Sequence, residues 1–86
     1  MDGMLMKIQI LGTGCAKCKA LTANAEKAVR ELGLEAEIEK VTAIQDIMKF
    51  QILMTPGLVV DGQVKAAGRL PSVDEIKRML AAPGGK

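Results

Sequence analysis

Between Leu5 and Leu32 the spacing of the apolar residues changes once, and abruptly. From Leu5 to Leu11 it alternates: Met6, Ile8 and Ile10 share one side, and Lys7 and Gln9 interrupt the other, as in a half-buried strand. Gly12-Thr13-Gly14 breaks the strand. From Cys15 the period becomes helical: Cys18, Leu21, Ala25, Ala28, Val29 and Leu32 form one stripe, with Lys17, Asn24, Lys27 and Glu31 opposite. Gly33 then suits the left-handed position that ends a helix. A strand running directly into a helix must return to the sheet by a crossover, so the next strand is parallel to the first and the unit is right-handed.

That next strand is Glu35 to Val41, where Ala36 and Ile38 alternate with Glu37 and Glu39. Its charged side suits a sheet edge that must not recruit other chains. Thr42 with Gln45 reads as a capping box, predicting a second helix to about Leu53 with Ile44, Ile47 and Met48 inward and Ala43 and Phe50 flanking. Thr55-Pro56-Gly57 is a break. Leu58–Val60 and Gln63–Ala67 flank Asp61-Gly62, a pair suited to a type I′ turn because both positions need positive φ. Ser72 with Glu75 caps a last helix that carries Val73, Ile76, Met79 and Leu80 inward and stops at Pro83. The expected fold is α/β: β-α-β-α-β-β-α, with a four-stranded mixed sheet flanked by helices. The 86 residues are expected to form a single domain, with its core at about 4–81 and a disordered tail at 82–86.

Composition narrows the function. Phe50 is the only aromatic residue, which argues against stacking platforms for single-stranded nucleic acid. The net charge of +2 comes from interspersed acids and bases, so no basic patch marks a nucleic-acid or membrane partner. The opening residues carry no basic segment before a long apolar run, so no signal peptide is expected and a cytoplasmic location is. In that reducing compartment a C-x-x-C pair is a catalytic or metal-binding feature rather than a structural bridge. There is no histidine, so the chemistry must use cysteine, lysine, carboxylates and backbone.

Cys15 and Cys18 therefore carry the most weight. Cys15 falls at a helix start, where unpaired N–H groups and the macrodipole favour an anion such as a thiolate. Lys17 and Lys19 add positive charge nearby, and Lys17 is read as a residue that lowers the Cys15 pKa. Cys18, one turn on, shares the apolar stripe and is expected to be sheltered. An exposed attacking thiolate beside a sheltered resolving thiol is what disulfide exchange requires. The alternative is a soft-metal carrier, copper-type, using the same two cysteines, since two thiolates suffice for linear Cu(I) but not for a closed zinc site. The element order weighs against it: heavy-metal-associated domains run βαββαβ and end in a strand, whereas this chain ends in a capped helix. An adaptor that kept the fold without turnover also stays open.

The element order, Cys15-x-x-Cys18 after the first strand and Thr55-Pro56 before the third resemble the thioredoxin/glutaredoxin superfamily over about residues 4–81. More narrowly, Gly12-Thr13-Gly14-Cys15-Ala16-Lys17-Cys18, Thr55-Pro56-Gly57-Leu58-Val59-Val60-Asp61-Gly62 and Gly68-Arg69 resemble small archaeal and bacterial redox-active disulfide proteins. The resemblance implies a protein-disulfide reductase in which Cys15 attacks and Cys18 resolves. It also implies a cis Thr55-Pro56 bond, with Thr55 and Pro56 binding substrate. No cofactor is expected beyond the Cys15–Cys18 disulfide, and no metal site is assigned. The implied partners are a disulfide-containing protein substrate and an upstream reductase or glutathione. No nucleic acid or membrane partner is expected, and the chain is expected to be a monomer. Ala16-Lys17 stands where typical thioredoxins carry Gly-Pro and typical glutaredoxins Pro-Tyr. Gly14 stands where thioredoxins carry Trp.

Overall fold

The computed structural model describes residues 6–14, 16–52 and 54–81. The elements run β1 (Met6–Leu11), α1 (Ala16–Leu32), β2 (Ala36–Val41), α2 (Ile44–Met48), β3 (Gly57–Val60), β4 (Gln63–Ala67) and α3 (Val73–Ala81). The sheet order is β2-β1-β3-β4. β1 and β2 are parallel, and β3 runs antiparallel to both β1 and β4. This is the expected mixed sheet, with β2 at an edge.

The period-two pattern sorts the sheet into two faces. Ile8, Ile10, Leu58, Val60 and Ala66 meet Leu21, Ala25 and Ala28 of α1 and Ile76 and Leu80 of α3. The other face is apolar only at one end, where Leu11, Val41 and Val59 pack with Ile47 of α2, and Phe50 and Ile52 close over them. Further along that face Lys7, Gln9 and Glu39 form a polar cluster: Gln9 Nε2 donates to Glu39 Oε1 at 3.0 Å, and Lys7 Nζ lies 3.5 Å from the same oxygen. So α2 covers only the end of the sheet that leads into α1.

Local chemistry explains the element ends. Gly33, at φ +67°, closes α1: its N–H reaches Arg30 O and the Leu34 N–H reaches Val29 O, a paired motif that satisfies the last carbonyls. Asp61 and Gly62, at φ +50° and +85°, make the turn between β3 and β4. Ser72 Oγ accepts from the Glu75 N–H at 3.1 Å and starts α3.

Three expectations need correction. The capping box at Thr42 does not form: Ala43 occupies the N-cap position with no side-chain cap bond, and α2 spans only Ile44–Met48. Its end comes early because the chain reverses at Gln51, which sits at φ +60°; Leu53, the expected end, lies outside the described residues. So short a helix aims one apolar side chain at the sheet. Ile47 is buried, whereas Ile44 and Met48 are 62% and 65% exposed. On α1, Asn24 is half-buried and Glu31 is exposed, but neither is left free as the stripe suggests. They bind across to the α3 side, Asn24 Nδ2 donating to Pro71 O and Glu31 accepting from Lys77 Nζ at 2.9 Å. Cys15, Pro83 and the tail lie outside the described residues.

The Lys77 hydrogen bond, and then its charge, hold Glu31 below its ordinary carboxyl pKa, and the same bond raises Lys77. The depressed Glu31 contributes stability above its unfolded pKa, about 4.3, and loses it as pH falls through the lower folded value. The raised Lys77 contributes below about 10.4 and loses it as pH rises through the higher folded value. Lys77→Met should therefore return Glu31 toward the ordinary range, read by carboxyl-carbon NMR titration. A Glu31 titration unchanged by that substitution would overturn the pairing.

Candidate active site

The site lies where β1 ends and α1 begins. The turn between them needs Gly14, at φ +97°. Cys15 precedes Ala16, the first helical residue, in sequence and lies outside the described residues. The first turn of α1 carries no acidic residue. Cys18 is on the inward stripe of α1 and is 5% exposed, the sheltered position expected of it. Thr22 Oγ1 donates to the Cys18 carbonyl at 3.1 Å. Lys17 is exposed on the same turn.

Cys18 rests on Gly12. A β-carbon built on Gly12 would collide with Cys18 Sγ and lie 3.1 Å from Cys18 Cβ. Gly12 cannot retreat, because its N–H donates to Val41 O at 3.0 Å and ties it to β2. The absence of a side chain at Gly12 is therefore what lets the sulfur sit against the end of β1. Only the spacing Gly12-Thr13-Gly14 hinted at this, and the sequence reading took those glycines as a strand breaker.

β3 brings the second motif to the same place. Leu11 pairs with Gly57, so Pro56, one residue earlier on the antiparallel strand, continues the register opposite Gly12. The Thr55–Pro56 bond is cis and Pro56 is fully buried. Its carbonyl accepts from the Gly68 N–H at 2.8 Å, which fixes the proline loop to the end of β4. Thr55 and Met54 before it are exposed. Arg69, considered in sequence as a contact for an anionic partner, is held by Glu75 at 2.7 Å instead.

On the side of Cys18 toward β2 there is an open cleft of about 100 Å³. Ile10, Gly12, Cys18 and Thr22 line it, and Lys19, Lys40 and Thr42 stand around it. Thr42, read in sequence as a helix cap, is a wall of this cleft instead. Lys17 is not among its lining residues, whereas Lys19 and Lys40 are. Among the described residues no group of three or more His, Cys, Asp or Glu side chains is placed to hold a metal ion. No helix among them is long and apolar enough to cross a membrane.

Comparison with known proteins agrees with this geometry. The family profile described as "Thioredoxin domain" matches residues 6–81. A protein named thioredoxin from Methanothermobacter thermautotrophicus is 49% identical over 77 residues, covering 90% of this chain and 100% of that protein. Another of that name from Methanocaldococcus jannaschii is 44% identical over 77 residues, covering 90% of this chain and 88% of that one. A mixed four-stranded sheet with helices, a profile match over residues 6–81 and two relatives similar over 90% of its length place this chain in the thioredoxin domain family, a family of thiol–disulfide oxidoreductases, and make it a disulfide reductase.

Proposed function

We propose that the chain reduces protein disulfides by a two-thiol exchange at Cys15 and Cys18. The observation that carries this reading is Cys18 seated over Gly12 at the start of α1, one turn from Cys15 in sequence, with no acidic residue in that turn. The Cys15 thiolate attacks one sulfur of the substrate disulfide, and the other leaves as a thiolate. Cys18 then loses its proton and attacks Cys15 Sγ, releasing the second substrate thiol and forming the Cys15–Cys18 disulfide. Helix N–H groups and the exposed charge of Lys17 favour the thiolate at Cys15. Thr55 offers backbone to an extended substrate segment beside the pair, and the Pro56 ring covers it from the β3 side.

The pair itself is the only redox group the reaction needs. An upstream reductase or glutathione regenerates the dithiol, the chain works as a monomer, and the reducing cytoplasm is where a catalytic C-x-x-C pair stays usable. The test is the reduction of insulin by dithiothreitol with and without the protein. Catalytic amounts are expected to accelerate the loss of the insulin disulfides well above the reductant alone. A rate equal to the reductant alone would overturn the reading.

A further inference from the structure

The inward stripe of α1 is apolar with one exception. Its buried residues are Cys18, Leu21, Thr22, Ala25 and Ala28. Thr22 is 7% exposed, and among the described residues it is the only buried one that is polar or charged. Packing alone does not ask for it. Valine has nearly the same shape, and a buried hydroxyl costs free energy unless it finds a partner. The Thr22 hydroxyl finds one a turn back, where it donates to the Cys18 carbonyl at 3.1 Å. The helical ladder already assigns that carbonyl to the Thr22 N–H, four residues on. Thr22 therefore ties its own turn to the turn of Cys18 twice, once through the backbone and once through the side chain.

The second tie falls where α1 has least to hold it. From Ala16 to Ala20 only Cys18 is buried, so this one residue fastens the first turn to the sheet. The first N–H groups of a helix have no intrahelical partner, which leaves its opening turn the more weakly bonded. A helical side chain lies over the turn N-terminal to its own Cα, so Thr22 covers the turn of Cys18. At the other end of the same residue, a β-carbon on Gly12 would collide with Cys18 Sγ. Cys18 is thus bounded at its sulfur by the end of β1 and at its carbonyl by Thr22.

We propose that Thr22 is a positioning residue for the redox site: its hydroxyl, acting through the Cys18 carbonyl, holds the Cys18 backbone so that the sulfur keeps one rotamer against Gly12. Thr22 reaches the chemistry only through Cys18, so capture of a substrate disulfide does not depend on it and resolution does. A thiol that must attack a neighbouring sulfur gains rate from being held in one orientation. The consequence for turnover rests on the proposed function; the consequence for the Cys18 side chain does not.

Two substitutions separate the hydroxyl from packing. Thr22→Val keeps the shape and removes the donor, whereas Thr22→Ser keeps the donor and removes a methyl group. In the reduced protein the Hα–Hβ couplings of Cys18, measured by NMR, report its rotamer. The native and Thr22→Ser proteins are expected to show the couplings of a single rotamer. Thr22→Val should show averaged couplings, with the native rotamer disfavoured by about fivefold, the population change that one ordinary hydrogen bond supports. In single turnover with insulin, followed by acid trapping and non-reducing gels, Thr22→Val should form mixed disulfide at the native rate and resolve it up to about fivefold more slowly. Thr22→Ser should resolve it at a rate near native. Denaturant unfolding of both variants completes the comparison, and Thr22→Val is expected to be at least as stable as Thr22→Ser, which leaves a methyl-sized void. A packing role gives the reverse order, with Thr22→Val native-like and Thr22→Ser impaired, and would overturn the proposal. So would Cys18 couplings that stay unaveraged in Thr22→Val. If the couplings respond as expected while the native protein leaves insulin unreduced, the positioning stands and the proposed function falls.

Discussion

Replacing Cys15 by serine is expected to lower insulin reduction by at least about a hundredfold, to the rate of the reductant alone, while replacing Cys18 leaves a protein that attacks but does not let go. The two outcomes differ because the two sulfurs do different work. In the proposed exchange Cys15, next in sequence to the start of α1, supplies the nucleophile. Without it no mixed disulfide forms, since Cys18 is buried on the inward stripe and a protein disulfide cannot reach it. With Cys18→Ser the first step proceeds and the second has no thiol, so a covalent complex with the substrate accumulates on non-reducing gels. The same variant isolates Cys15 for titration. Its thiolate absorbance should rise with a midpoint below about 8.5, the free value, because the first turn of α1 offers N–H groups and lysines and no carboxylate. Normal turnover in Cys18→Ser would refute the dithiol route and favour a one-cysteine route through a small thiol. A midpoint at or above the free value would remove the electrostatic account of the helix start.

How much of this was legible in the sequence follows from the range of the interactions involved. Strands and caps governed by nearest neighbours were readable. The Asp61-Gly62 turn, the Gly33 stop and the Ser72 cap each depend on a backbone conformation that a few residues dictate, and each is present. Thr42 and Gln45 carried the same kind of signal without forming the cap. There the chain must also bury Val41 against Ile47, and satisfying that contact starts the helix one residue later and leaves Thr42 beside the cleft. Cys18 was legible because helical period alone places it inward. Lys40 was not: it looked like one more charge at the end of a charged strand, and only the pairing with Ile10 reveals that it shares the core-facing side. Gly12 was equally hidden, since a glycine that ends a strand and a glycine that makes room for a sulfur read alike until α1 is packed on β1.

That close packing makes Gly12→Ala the most disruptive substitution that leaves both cysteines in place. The backbone at Gly12 is not in the left-handed region, so alanine meets no conformational obstacle and the whole effect is contact. The new methyl group would occupy the space of Cys18 Sγ. On one side the sheet cannot yield, because Gly12 is bonded to Val41 and the strand is paired on both flanks. On the other, α1 is anchored one turn on by Leu21, which is fully buried, and by Thr22, whose hydroxyl bonds the Cys18 carbonyl. The strain must go into turning the Cys18 side chain to another rotamer or lifting the first turn of the helix. Overpacking of this kind costs about 1–3 kcal/mol, measurable by denaturant unfolding. The effect on chemistry should be larger, because a sulfur displaced by about 1 Å loses its line of attack on Cys15, and such misplacement can cost on the order of a hundredfold. The loss should fall on the resolving step, so the variant should accumulate mixed disulfide although both thiols are present. Gly14→Ala separates this from a general intolerance of the loop. Among the described residues a β-carbon there meets nothing within 4 Å, and the positive φ is what is penalised, by about 1–2 kcal/mol, so stability should fall while resolution stays near normal. A Gly12→Ala protein of unchanged stability that resolves its mixed disulfides at the ordinary rate would show that Cys18 does not depend on the space over Gly12.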